Sequence, residues 1–218
     1  MSIELKNVSK SYQKKLIFED VNLQINRGTF VMLRGLSGAG KTTLLNIIGG
    51  IDRPSSGEIL IDEQNVAKLH GKVRTEFFRK KVGFIFQGFY LQPQLTVAEN
   101  IELAGVFANI PPSKRHERVE ELAKQLGITE VINGLPAGIS GGQAERVCVA
   151  QALFMEPEVI LADEPTNNLD SQSIQKVLEV LRDVQQIGVT VIIASHDERI
   201  ERYAEQIINV ADGKVWVA

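Results

Sequence analysis

The chain has 218 residues, enough to bury a sizeable core in one domain spanning 1–218, and no shift in composition marks a linker or a second unit. With 44% hydrophobic residues, 23% charged residues and a formal net charge of -3, its bulk charge attracts neither nucleic acid nor anionic lipid. Apolar runs such as 159–162 and 189–194 fall far short of the roughly 18 to 20 residues that span a bilayer, and Ser2, Ile3 and Glu4 after Met1 do not read as a signal peptide. The chain is therefore expected in the cytoplasm, with no nucleic acid partner and no direct lipid insertion.

Taken in order, Ile3 and Leu5, then Val21, Leu23 and Ile25, then Ile59 and Ile61 alternate apolar with polar residues around turns such as Asn26-Arg27-Gly28. That pattern predicts an amino-terminal antiparallel β subdomain. Runs at 30–33, 82–86, 159–162 and 190–194 are short, continuous and rich in Val, Ile and Phe, as strands buried on both faces are. The stretch from about 91 to 139 has few strand signals and a break at Pro111-Pro112, which predicts a helical insertion reaching to about 155. Val119, Leu122, Ala123 and Leu126, and later Ile174, Val177, Leu178, Leu181 and Val184, form stripes of helical period. Strands alternating with helices predict an α/β fold with a mostly parallel core sheet. The single cysteine, Cys148, has no disulfide partner in the chain and reads as core packing.

Between the run 30–33 and a helical run lies Gly35-Leu36-Ser37-Gly38-Ala39-Gly40-Lys41-Thr42, followed by Thr43. It fits G-x-x-x-x-G-K-[ST] in the context that motif requires, after a strand and before a helix. Glycines there let consecutive N–H groups curl around phosphate oxygens, Lys41 reaches the β and γ phosphates, and the Thr42 hydroxyl serves a magnesium ion. The run 159–162 ends in Asp163-Glu164 at the edge where α/β sheets bind ligands; Asp163 suits the magnesium ion, and Glu164 an attacking water. Ser140-Gly141-Gly142-Gln143 precedes another helical run and makes a second anion-binding helix start, which suggests two subunits sharing nucleotides.

With Ile139 in front of it, that last motif resembles the L-S-G-G-Q signature of the ATP-binding cassette ATPases, and the likeness covers nearly the whole chain. The resemblance implies a phosphate-loop fold of the cassette type with a helical signature subdomain, binding ATP and Mg2+. It implies that Gln87 is the Q-loop glutamine, contributing to catalysis, nucleotide and metal binding; that Asn168-Leu169-Asp170 is the D-loop, with Asp170 near the nucleotide; and that His196 is the switch histidine. Tyr12 would stack on adenine. Catalysis would fall to Glu164, His196, Lys41 and Gln87, and the metal to Thr42, Gln87 and Asp163. Two copies would pack head to tail, each ATP lying between Lys41 and Glu164 of one and Ser140 and Gly142 of the other.

The runs Asn46-Ile47-Ile48-Gly49-Gly50-Ile51-Asp52-Arg53-Pro54-Ser55-Ser56-Gly57 and Leu161-Ala162-Asp163-Glu164-Pro165-Thr166 resemble the lipoprotein-release, macrolide-export and cell-division cassettes. Those work with four-helix membrane permeases, which implies a chain peripheral on the inner face of the cell membrane. Departures from the family pattern fall at Gly138, Ile139, Ala144, Glu145, Gln151 and Asn167. Gln151 replaces an arginine, which removes a helix salt bridge, a small cost if the position is exposed. Arg79-Lys80-Lys81 and Lys114-Arg115-His116 read as solvated helix faces in an acidic chain. The competing expectations are a soluble cassette ATPase without a permease, as in iron-sulfur assembly, and a non-hydrolysing subunit, against which the presence of Glu164 and His196 speaks.

Overall fold

The computed structural model describes residues 2–13, 15–167 and 169–218; Asn168 of the expected D-loop lies outside the described residues. The alternating amino-terminal segments form a four-stranded antiparallel sheet in the order β2-β1-β4-β5, from β1 (Ile3–Tyr12), β2 (Lys15–Ile25), β4 (Ser56–Ile61) and β5 (Gln64–Asn65). Between β2 and β4 come β3 (Phe30–Arg34) and α1 (Lys41–Ile48).

The second sheet has six strands in the order β10-β9-β3-β8-β7-β6. Its strands β6 (Val82–Ile85), β7 (Val159–Asp163), β8 (Thr190–Ser195), β3 and β9 (Gln206–Ala211) run parallel, and β10 (Lys214–Val217) closes the edge antiparallel to β9. Because β3 and β6 through β8 are parallel, the loops that leave them emerge at one edge. The phosphate loop, Gln87, the Asp163-Glu164 pair and His196 all follow carboxyl ends of that sheet.

A strand presents alternate residues to opposite faces, and here both faces are covered. Val31 and Leu33, Leu161, and Ile192 pack with Leu44, Leu45 and Ile48 of α1 under the antiparallel sheet. Phe30 and Met32, Ile160 and Ala162, and Val191 and Ile193 face α3 (Val97–Phe107), α4 (Pro112–Leu126), α5 (Gly141–Leu153) and α6 (Ser171–Gln186). The strand β6 is an edge strand, and its Val82 and Phe84 are only half-buried, so the expectation of burial on both faces holds for β3, β7 and β8 but not there.

Among the described residues, three α-helices and no strand lie between β6 and β7. Pro111 and Pro112 break the chain between α3 and α4 by starting the second helix, where a missing N–H goes unused. The buried residues of α4 are Val119, Leu122, Ala123 and Leu126, the predicted stripe, and those of α6 are its predicted stripe with Gln185 added. Cys148 is 7% exposed inside the core.

Two elements had weaker signals. The helix α2 (Gly71–Lys81) buries no residue, so no apolar stripe announces it; Arg79, Lys80 and Lys81 form its last turn, with Lys81 ion-paired to Glu158 and Asp62. The β9–β10 hairpin turns on Asp212-Gly213, both at positive φ, a turn dipeptide that would have located it.

Candidate nucleotide site

The phosphate loop leaves β3 with its shape enforced by sterics. A Cβ on Gly35 would stand 2.2 Å from the Val210 carbonyl oxygen, so only glycine lets β9 approach that closely. Gly40 has φ 107° and ends the loop as the N-cap of α1, a conformation that side chains rarely adopt. No side chain caps α1, so its first N–H groups are left for an anion and carry the positive end of the helix dipole. Lys41 is 6% exposed and curls back into the loop, donating to the carbonyls of Gly35 at 2.8 Å and Leu36 at 3.2 Å. Its Nζ stands 3.6 Å from Oε1 of Glu164.

At the end of β7, Asp163 is 4% exposed and its Oδ1 is buried without a partner. Burial pushes its pKa up and the Glu164 charge adds to that, against the opposing pull of the Thr42 hydroxyl and of Lys41. A desolvated carboxylate oxygen beside a threonine hydroxyl and below a phosphate loop fits a divalent cation, which restores the interaction that burial removed.

Glu164 takes φ 48°, uncommon for a residue with a side chain and of the kind that concentrates at functional sites. Its amide donates to the Ala194 carbonyl at 2.8 Å. Its carboxylate accepts from the Ser195 hydroxyl at 2.9 Å through Oε2 and meets His196 Nδ1 at 3.1 Å through Oε1. The side chain is thus held from β8 on one side and faces Lys41 on the other. Ser195, fully buried, was not singled out from sequence; its place directly before His196 was the available signal.

Ser37, Gly38, Gly40, Lys41, Thr42, Thr43, Gln87 and Glu164 line one cleft of about 180 Å³ together with Ile17. A second cleft, about 500 Å³, adjoins it at Glu164 and is lined by His196, Asn167 and Leu169 among others. Ser37, Gly38, Leu36 and Ala39 also border the outer side of the loop. Gln87 is exposed just past β6. Tyr12, at the end of β1, is 45% exposed.

The structure does not bring Ser140, Gly141, Gly142 and Gln143 into that cleft. They begin α5, where the Ser140 hydroxyl accepts from the Gln143 amide at 3.3 Å and Gln143 Oε1 accepts from the Ser140 amide at 2.8 Å, a reciprocal cap. Asp170 is likewise the N-cap of α6, accepting from the amides of Gln172 and Ser173 and from the Ser173 hydroxyl, whose bonds hold its pKa low.

Two departures acquire a structural meaning. Gln151 is half-buried rather than exposed, and it donates to the Asn100 carbonyl at 3.0 Å, joining α5 to α3. Glu145 is 4% exposed with Oε1 unpartnered, and burial raises its pKa to about 8.

A loop that wraps phosphate, closed by a lysine and faced by two carboxylates at the edge of a parallel sheet, is the site of a phosphate-loop nucleoside triphosphatase. The profile of the ABC transporter family matches residues 18–167, and the chain belongs to that family as one of its ATPase cassettes. It is 42% identical over 217 residues to the macrolide export ATP-binding/permease protein MacB of Salmonella typhi, and 41% identical over 199 residues to that of Vibrio parahaemolyticus. These alignments cover 98% and 91% of the chain but 34% and 30% of the relatives, so the chain spans about a third of their length.

Among solved structures it superposes on the dimeric bacterial ABC transporter cassette MJ0796 with a TM-score of 0.91 at 40% identity, covering 98% of this chain and 96% of that one. The post-hydrolysis dimer of MJ0796 bound to ADP and Pi gives 0.90 at 38% identity, covering 99% and 98%. The cassette cbiO1 of Clostridium perfringens, part of the transporter complex cbiONQ, gives 0.89 at 29% identity, covering 98% and 86%.

Proposed function

We propose that the chain is the motor subunit of a membrane transport complex. In this reading two copies close head to tail on two ATP molecules, and the closure drives an integral-membrane permease, of the four-helix type, for export, extraction or mechanical work across the bilayer. The cassette then sits on the cytoplasmic face, held there by the permease. The observation that carries the chemistry is the Glu164 carboxylate, fixed by Ser195 and His196 and facing Lys41 across the mouth of the phosphate loop.

Lys41 exchanges its bonds to the loop carbonyls for the β and γ phosphates, which keeps a buried ammonium paired. Thr42, Asp163 and Gln87 would hold Mg2+, which when bound screens the phosphate charge. Glu164 orients a water and takes its proton as the water oxygen bonds to the γ phosphorus and the bond from that phosphorus to the β–γ bridging oxygen breaks. His196, on the same carboxylate, steadies the γ-phosphate side, and Tyr12 stacks on the adenine.

The head-to-tail dimer is supported by the exposed start of α5, which lies outside the phosphate cleft of its own chain and offers N–H groups to another. The dimeric MJ0796 structures and the ATP-binding/permease names of the MacB relatives support the dimer and the permease respectively. Replacing Glu164→Gln keeps the shape and removes the base. ATP turnover is expected to fall about 10²- to 10⁴-fold with nucleotide binding retained, and turnover within tenfold of the parent would refute the role. Purifying the tagged chain from its native membranes tests the partner; a permease is the expected companion, and only soluble assembly factors would refute the transport reading.

A further inference from the structure

Tyr12 is held by a cluster of groups that the phosphate chemistry does not use. Its phenol donates to Oδ2 of Asp52 at 2.5 Å. The same oxygen receives Lys10 Nζ at 2.9 Å, and Oδ1 accepts from the Arg53 amide at 2.6 Å. Lys10 is only 7% exposed; it donates also to the Arg53 carbonyl at 2.7 Å, and its ammonium stands 4.5 Å from the centre of the Tyr12 ring. A buried ammonium has few positions in which it stays paired, so these bonds set the place of Lys10 and with it the cation over the ring.

Burial raises the Asp52 carboxyl, but hydrogen bonds from Tyr12, Lys10 and the Arg53 amide outweigh it and hold the pKa below the ordinary aspartate value, so the acceptor is charged at neutral pH.

We infer that Asp52 and Lys10 are positioning residues for the base platform: they lock the Tyr12 ring before nucleotide arrives, cover one face with a cation and leave the other face for adenine. The inference rests on the proposed role of Tyr12 as the adenine platform. Its physical basis is preorganisation, since a ring already fixed loses no rotamer freedom when the base lands on it. The phenol proton is committed to Asp52, so the platform stacks on the base without reading its edge.

The test is a titration of the full chain with Mg-ATP and, separately, with inorganic triphosphate, which engages the phosphate loop but has no base to stack. Tyr12→Phe keeps the ring and leaves the Lys10–Asp52 pair intact, so it is the conservative variant; Asp52→Ala removes the anchor, and Asp52→Asn keeps an acceptor. Losing one hydrogen bond of this kind is expected to weaken ATP binding about fivefold in Tyr12→Phe and in Asp52→Ala, with little further loss in the double variant.

Triphosphate affinity should stay at the parent value, the loss should fall in KM rather than kcat, and Asp52→Asn should recover most of the affinity. Unchanged ATP affinity in both Tyr12→Phe and Asp52→Ala, with a loss in Tyr12→Ala, would overturn the positioning role and leave the platform standing. A Tyr12→Ala variant that binds ATP like the parent would remove the platform itself. An equal loss for triphosphate would assign the effect to a general disturbance of the fold and overturn the inference.

Discussion

Glu145 shows how one buried side chain can set a pH dependence of stability. It lies two residues past the Ser140-to-Gln143 cap, 4% exposed, with one carboxylate oxygen unpartnered, and burial alone lifts its pKa from 4.5 to about 8. The unfolded chain releases this proton near pH 4.5 and the folded chain holds it to about pH 8. The contribution to stability is therefore complete below pH 4.5 and fades as pH rises toward 8, by up to about 1.4 kcal/mol per pH unit in that window. Glu145→Gln removes the titration while keeping the shape. Urea melts at pH 6 and pH 8 are expected to show the variant gaining on the parent at the higher pH; parallel pH profiles would show that Glu145 ionises in the folded state as it does in the unfolded chain.

Among the elements, α3 is the one that anchors the chain returning from Gln87. Thr96 and Glu99 cap it reciprocally, and Asn100, 1% exposed, sends its amide to the carbonyls of Gln92, Leu95 and Thr96 and receives the Gln92 amide. Gln151 of α5 then bonds the Asn100 backbone. This one side chain fastens the segment 92–96 to α3. Asn100→Leu would strip the Gln92 amide and the Leu95 carbonyl of their partner and take one of two donors from the Gln92 and Thr96 carbonyls. A loss of about 3 kcal/mol or more is expected in denaturant unfolding, together with faster proteolysis between Gln87 and Thr96; a loss under 1 kcal/mol would mean the loop finds other partners.

For the whole molecule, the parallel sheet gathers the phosphate loop, Gln87, Asp163, Glu164 and His196 at one edge, while the helices between β6 and β7 carry the start of α5 away from it. In the proposed head-to-tail arrangement, a second copy completes the nucleotide contacts. In a Glu164→Gln background, ATP is expected to double the mass measured by light scattering, and adding Ser140→Arg is expected to abolish the doubling by placing a bulky cation at the helix start. Persistence of the ATP-dependent dimer in the double variant would place the interface elsewhere.

Much of this was legible in the sequence, because it rests on local chemistry. Strands buried on both faces read as continuous Val, Ile and Phe runs, and the stripes of α4 and α6 follow from the helical period; the phosphate loop declares itself because wrapping phosphate demands those residue types at that spacing. The helix α2 left only a weak mark, since none of its residues is fully buried and its adjacent Phe77 and Phe78 pack half-buried against the core. Only the tertiary structure placed Ser195 on Glu164, set Asp52 and Lys10 around Tyr12, and turned Gln151 and Glu145 inward. Those contacts join residues 31 to 51 positions apart or depend on which side of a helix the core covers, and neither separation nor burial is written in the local pattern.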